Sequence, residues 1–147
     1  MMDTASTGRP VTLPAMAVPV DRPAPLRVLV VDPDERVRQS LSGLLEIGHQ
    51  VVVVGSAGQP GAALALADTV RPDVVIVDPR LPEVDRGYAF IGRLREAHPA
   101  LRILVMSSAE GLEHLARPGG ADGFIRKTFR PAELVAAVLA AARPGPA

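Results

Sequence analysis

The stretch Asp73-Val-Val-Ile-Val-Asp-Pro-Arg-Leu-Pro82 constrains this chain more than any other. Val74 to Val77 form an unbroken β-branched run, which reads as a strand buried on both faces, as in a parallel sheet. The run ends directly in a carboxylate, Asp78, and a loop punctuated by Pro79 and Pro82 follows. Open α/β sheets bind their ligands beyond the carboxyl ends of the strands. Position alone therefore makes Asp78 a candidate site residue.

The remaining chain supplies the scaffold such a strand needs. Leu26 to Val31 is apolar at nearly every position and runs into Asp32, so it reads as a first strand. Asp34 and Glu35 stand where acidic side chains favour a helix start, and Val37, Leu41, Leu44 and Leu45 follow at helical spacing up to Gly48. Gln50 to Val54 is a second strand, ended by Gly55-Ser-Ala-Gly58, and Gly61 to Val70 is an Ala/Leu-rich helix closed by Arg71-Pro72. Past the loop, Tyr88 to Ala97 predicts a helix with Phe90, Ile91 and Leu94 on one face, and Ile103 to Met106 a strand ending at Ser107. Glu110 to Ala116 allows one or two helical turns, cut short by Arg117-Pro-Gly-Gly120. Gly123 to Ile125 is a short strand before Arg126 and Lys127. Pro131 to Ala142 is the last helix, with Pro131 suited to its first turn and Leu134, Val135, Val138 and Leu139 as its buried face. Five strands alternate with five helices, which predicts an α/β fold with one parallel sheet and right-handed crossovers.

Composition removes several function classes. There is no cysteine, so disulfides, thiolate catalysis and Cys-type zinc sites are excluded together. His49, His98 and His114 are scattered without ligand spacing, which argues against a histidine metal centre. Sixteen basic and 16 acidic residues balance, leaving no electrostatic footprint for direct nucleic-acid or anionic-membrane binding. Aromatic residues are too scarce to build a base-stacking platform. Residues 1–25 carry five prolines and few bulky apolar groups, and are expected to be a disordered extension rather than a secretory signal. Residues 26–142 are expected to form the domain and residues 143–147 a tail. The longest apolar run, Leu134 to Ala142, is too short to span a bilayer, so a cytoplasmic protein is expected.

In a parallel sheet the strand ends share one edge. Asp32 and Asp34 after the first strand, Asp78 at the third, Ser107 at the fourth and Lys127 after the fifth would therefore converge in one crevice. Clustered carboxylates repel one another and need a cation or a proton between them. Oxygen ligands of this kind suit Mg²⁺. With a divalent cation and a lysine to hold an incoming phosphoryl group, one aspartate can act as a nucleophile and become an aspartyl phosphate.

The succession strand-Asp32, strand-Asp78-x-x-x-Pro82, strand-Ser107, strand-x-Lys127 resembles the receiver domain of two-component response regulators over Leu26 to Ala142. The resemblance implies a doubly wound, flavodoxin-like (β/α)5 sheet of order 2-1-3-4-5. It implies Asp78 as phosphoacceptor, Ser107 as the switch hydroxyl, Lys127 as the phosphate-pairing lysine and Phe124 as the aromatic whose rotamer follows the switch. It further implies Mg²⁺ held by Asp32 and Asp78, with Asp34 a further candidate ligand. The partners it implies are a sensor histidine kinase or phosphotransfer protein and a downstream protein target; the sequence leaves oligomeric state open, a homodimer included. No turnover of an outside substrate is expected beyond slow loss of the protein's own phosphoryl group.

Three positions depart from that pattern. Pro33 stands where the second member of the acidic pair belongs, Arg86 is inserted between Asp85 and Gly87, and Thr128 replaces the proline that usually follows the lysine. These departures keep a second reading open, a degenerate receiver that binds partners without phosphorylation. A third, a small nucleotide-binding enzyme, is disfavoured because no Gly-rich phosphate cradle follows the first strand.

Overall fold

The computed structural model describes residues 24–80, 84–107 and 120–142. Five strands build one sheet: β1 (Leu26–Val31), β2 (Val51–Ala57), β3 (Val74–Val77), β4 (Arg102–Ser107) and β5 (Gly123–Arg126). All pairings are parallel, and the strand order is β2-β1-β3-β4-β5, the flavodoxin-like order expected. Four helices are described: α1 (Glu35–Leu45), α2 (Pro60–Val70), α3 (Val84–Ala97) and α4 (Pro131–Ala142). The helix expected over Glu110–Ala116, residues 1–23 of the N-terminal extension and the tail lie outside the described residues.

Period-two alternation of the strands separates two cores. Leu29, Val31, Val75, Val77, Ile103 and Val105 face α2 and α3, packing on Ala63, Ala67, Phe90, Ile91 and Leu94. Val28, Val30, Val74, Ile76, Leu104 and Met106 face α1 and α4, packing on Leu41, Leu45, Leu134, Val135 and Val138. Burial on both faces explains why β1, β3 and β4 are continuous apolar runs rather than alternating ones. Among the described residues no helix is long and apolar enough to cross a membrane.

Two boundaries differ from the sequence expectation by more than one residue. β2 does not stop at Val54 but continues to Ala57, because the ladder slips one residue there: Val28 pairs with Val53 and Leu29 with Gly55. The bulge absorbs Val54 and lets Gly55 sit against the Leu29 and Leu66 side chains. The other boundary is the start of α3, at Val84 rather than Tyr88. Gly87 lies inside the first turn, where its bare α-carbon packs directly on the Pro79 backbone. What reads as a helix breaker is a contact that seats the helix beneath the β3 loop.

The chain leaves β1 toward β2 and returns on the other side through β3, so a crevice opens between the ends of β1 and β3. Asp32 and Asp78 stand on its two sides, held by backbone bonds from Asp32 N to Ala57 O and from Asp78 N to Val31 O.

Candidate functional site

Asp32, Asp78 and Ser107 are the buried polar residues among those described, each at most 3% exposed. All three cap strands of the central sheet at its carboxyl edge. Lys127 reaches the same place from the end of β5. Its backbone N–H donates to Ser107 O at 3.1 Å, which ties the ends of β4 and β5 together. Its ammonium, on a side chain only 7% exposed, lies 2.9 Å from both Asp32 Oδ2 and Asp78 Oδ2. One cation is thus shared by two buried carboxylates, the compensation that buried charge requires.

Asp34 is spent elsewhere. It is the N-cap of α1, accepting from Arg36 N at 2.9 Å, while its own N–H donates to Asp32 Oδ1. The carboxylate therefore stabilises the helix terminus, the capping role open to it from the sequence. Its main-chain N–H is what serves the crevice, by fixing the orientation of Asp32. Phe124 is half-buried against the α2/α3 core and pairs with Val105 in the β4–β5 ladder. Thr128 Oγ1 accepts from Arg130 N ahead of α4, so the position that usually carries proline makes a side-chain turn instead. Arg86 is exposed in the first turn of α3.

The residue missed in the sequence is Arg80. Asp78-Pro79-Arg80 folds as an Asx-turn in which Arg80 N donates to Asp78 Oδ1 at 2.8 Å. The turn brings the guanidinium back over the carboxylate, with Nε 3.3 Å from Oδ1 and Nη2 3.1 Å from Oδ2. Burial pushes the Asp78 carboxyl up, but the bonds from Arg80 and Lys127 outweigh it and hold the group below its ordinary range. Asp78, in turn, raises the Arg80 guanidinium above its usual value. The signal for Arg80 was its spacing, two residues past the candidate aspartate and across a proline that turns the chain back.

The family model for the response regulator receiver domain matches residues 28–139. The chain belongs to that family. The receiver is 36% identical over 115 residues to the DNA-binding transcriptional activator DevR/DosR of Mycobacterium tuberculosis, covering 77% of this chain and 52% of that protein. It is 29% identical over 120 residues to the nitrate/nitrite response regulator protein NarL of Escherichia coli, covering 80% of this chain and 55% of NarL. The chain thus spans about half the length of these curated relatives. Among solved structures it matches a LuxR-family two-component response regulator from Aurantimonas sp. SI85-9A1, with 31% identity and a TM-score of 0.71 over 80% of this chain and 85% of the other. The response regulator domain of Thermotoga maritima CheB matches with 28% identity and a TM-score of 0.70, over 83% of this chain and 99% of that one. Two-component signalling by phosphorylation is the business of this family, and its receivers generally bind Mg²⁺ at the phosphorylation site.

The residues of this receiver fit such an ion poorly. Pro33 contributes no carboxylate, and Asp34 is turned to the helix cap. The two carboxylates that remain are already balanced by two cations, Lys127 and Arg80. Among the described residues no group of three or more acidic or histidine side chains is placed to hold a metal.

Proposed function

We propose that this receiver accepts a phosphoryl group on Asp78 from a sensor histidine kinase or phosphotransfer protein and passes the change to a protein partner. The observation that carries the proposal is the shared ammonium: Lys127 Nζ sits 2.9 Å from the Asp78 carboxylate, at the crevice where the chain reverses. A phosphoryl group on Asp78 adds charge and acceptor oxygens directly beside that ammonium. Lys127 then has a stronger partner than Asp32. Because its backbone is bonded to Ser107, a shift of Lys127 acts on the ends of both β4 and β5. Ser107 is the switch hydroxyl in this reading, and Phe124 on β5 the aromatic that follows it. Output passes through protein contacts, and the only turnover is slow loss of the receiver's own phosphoryl group.

The test is intact mass after incubation with acetyl phosphate and Mg²⁺. Wild type gains one phosphate and Asp78→Asn gains none. A wild type that gains none under conditions labelling an ordinary receiver overturns the proposal. That result favours the second reading, a binding module independent of phosphorylation, for which the guanidinium covering Asp78 is the supporting observation.

A further inference from the structure

An ionised carboxylate offers about four in-plane acceptor positions. At Asp78 all are taken: Oδ1 by Arg80 N at 2.8 Å and Arg80 Nε at 3.3 Å, Oδ2 by Arg80 Nη2 at 3.1 Å and Lys127 Nζ at 2.9 Å. Three of those four donors belong to one residue. The planar fork of an arginine matches the two oxygens of a carboxylate, so the contact is a fitted one and not a passing approach of charges. The two cations differ in what holds them. The Lys127 side chain is 7% exposed and pinned between two carboxylates, whereas that of Arg80 is 50% exposed. Arg80 can lift off one oxygen into water at little cost, and Lys127 cannot.

We propose that Arg80 is the resident cation of this site, occupying the charge position of a divalent ion, so that Mg²⁺ is disfavoured and phosphoryl transfer to Asp78 proceeds without it. The transfer part rests on the phosphoacceptor reading above; the charge position does not. With Pro33 in place of an acidic residue the crevice holds two carboxylates, which Arg80 and Lys127 already neutralise. A third cation would enter against a like charge. For transfer, the guanidinium swings off one Asp78 oxygen, which attacks the phosphorus of an acyl phosphate. The bond from phosphorus to the acyl oxygen breaks and the carboxylate leaving group departs with the electron pair. Asp78 becomes the mixed anhydride, and no proton is taken up or released. Charge on the transferring oxygens is met by Lys127 on one side and the displaced Arg80 fork on the other, the positioning and charge compensation on which phosphoryl transfer depends.

The test uses the full chain as wild type, Arg80→Ala and Asp78→Asn, each shown to be folded by thermal unfolding. Mg²⁺ alone is titrated calorimetrically, and acetyl phosphate labelling is followed by intact mass in EDTA and in Mg²⁺. Arg80→Ala is expected to bind Mg²⁺ about tenfold more tightly than wild type, since a like charge has left the site. Wild type is expected to label at rates within about threefold in the two conditions, and Arg80→Ala to need Mg²⁺ by about tenfold or more. Equal Mg²⁺ affinity in wild type and Arg80→Ala overturns the charge position given to Arg80. Labelling of wild type only in Mg²⁺, or of Arg80→Ala equally well in EDTA, overturns metal-free transfer while leaving the phosphoacceptor reading intact. If no form labels in either condition, the phosphoacceptor reading falls and metal-free transfer falls with it, whereas the Mg²⁺ titration still decides the charge position.

Discussion

Asp32 and Asp78 are held by the same ammonium, Lys127 Nζ, which lies 2.9 Å from an oxygen of each. Their carboxylates are buried at the ends of neighbouring strands, and both share that ammonium as a charge partner. The crevice is therefore a balanced charge cluster in which each member depends on the others.

Removing the shared cation tests that dependence. Lys127→Met keeps the apolar stem but leaves Asp32 without its ammonium, and breaking a buried pair from one side costs about 3 kcal/mol. The loss is to be measured by urea unfolding at pH 7. Adding Asp32→Asn to Lys127→Met is expected to recover part of it, because the stranded charge is then gone. Full additivity of the two substitutions would contradict the sharing.

Arg80 makes a pH signature. The folded-state Asp78 carboxyl lies below its ordinary value of 3.8, chiefly through the Arg80 bonds acting against burial. A depressed carboxyl contributes stability that is present above pH 3.8 and lost as pH falls through the lower folded value. Wild type is expected to be more stable than Arg80→Ala at pH 5 to 7 by up to about 1 kcal/mol, a modest figure because the guanidinium is half exposed. The gap should close as pH drops from 3.8 through the lower folded value. Urea midpoints across that range check it, and a gap that widens toward acid would reverse the sign.

Gly87 is a structural requirement of the site. A Cβ there would overlap the Pro79 carbonyl, forcing apart the start of α3 and the loop that carries Asp78 and Arg80. Gly87→Ala is expected to cost about 2 kcal/mol, outweighing the better helix propensity of alanine. Gly92, in the same helix, has open space around its α-carbon. Gly92→Ala should therefore be neutral or stabilising by up to about 1 kcal/mol. Equal responses of the two positions in thermal unfolding would contradict the contact.

Asp34 separates capping from metal binding. Asp34→Ala removes the bond to Arg36 N and should cost about 1 kcal/mol. Mg²⁺ affinity, measured by calorimetry, should not change. A loss of Mg²⁺ binding with unchanged stability would make Asp34 a ligand instead of a cap.

Much of this architecture was legible before the structure. β1, β3 and β4 were readable because strands buried on both faces leave continuous apolar runs, and Asp32, Asp78 and Ser107 stand at their ends for the same reason. The last helix was readable to the residue, from Pro131 to Ala142, since Pro at a first turn marks a start. The end of β2 was not, because Gly55 reads as a turn, and only the cross-strand ladder makes it a bulge partner of Leu29. Nor was the start of α3, because the use of Gly87 depends on Pro79, distant in helical register and close only in space. Arg80 was hidden for a related reason. An arginine in a loop is ordinarily solvated, and its fork finds Asp78 only once the Asx-turn has formed.

The central claim is that Asp78 carries the phosphoryl group, and the most direct measurement locates the group chemically. The protein, treated with acetyl phosphate, is reduced with borohydride, which converts an aspartyl phosphate to homoserine, and its peptides are sequenced by mass spectrometry. Homoserine at position 78 alone is the predicted result. Homoserine at Asp32 or Asp34, or none at position 78 in a protein whose intact mass shows a phosphate, would contradict it.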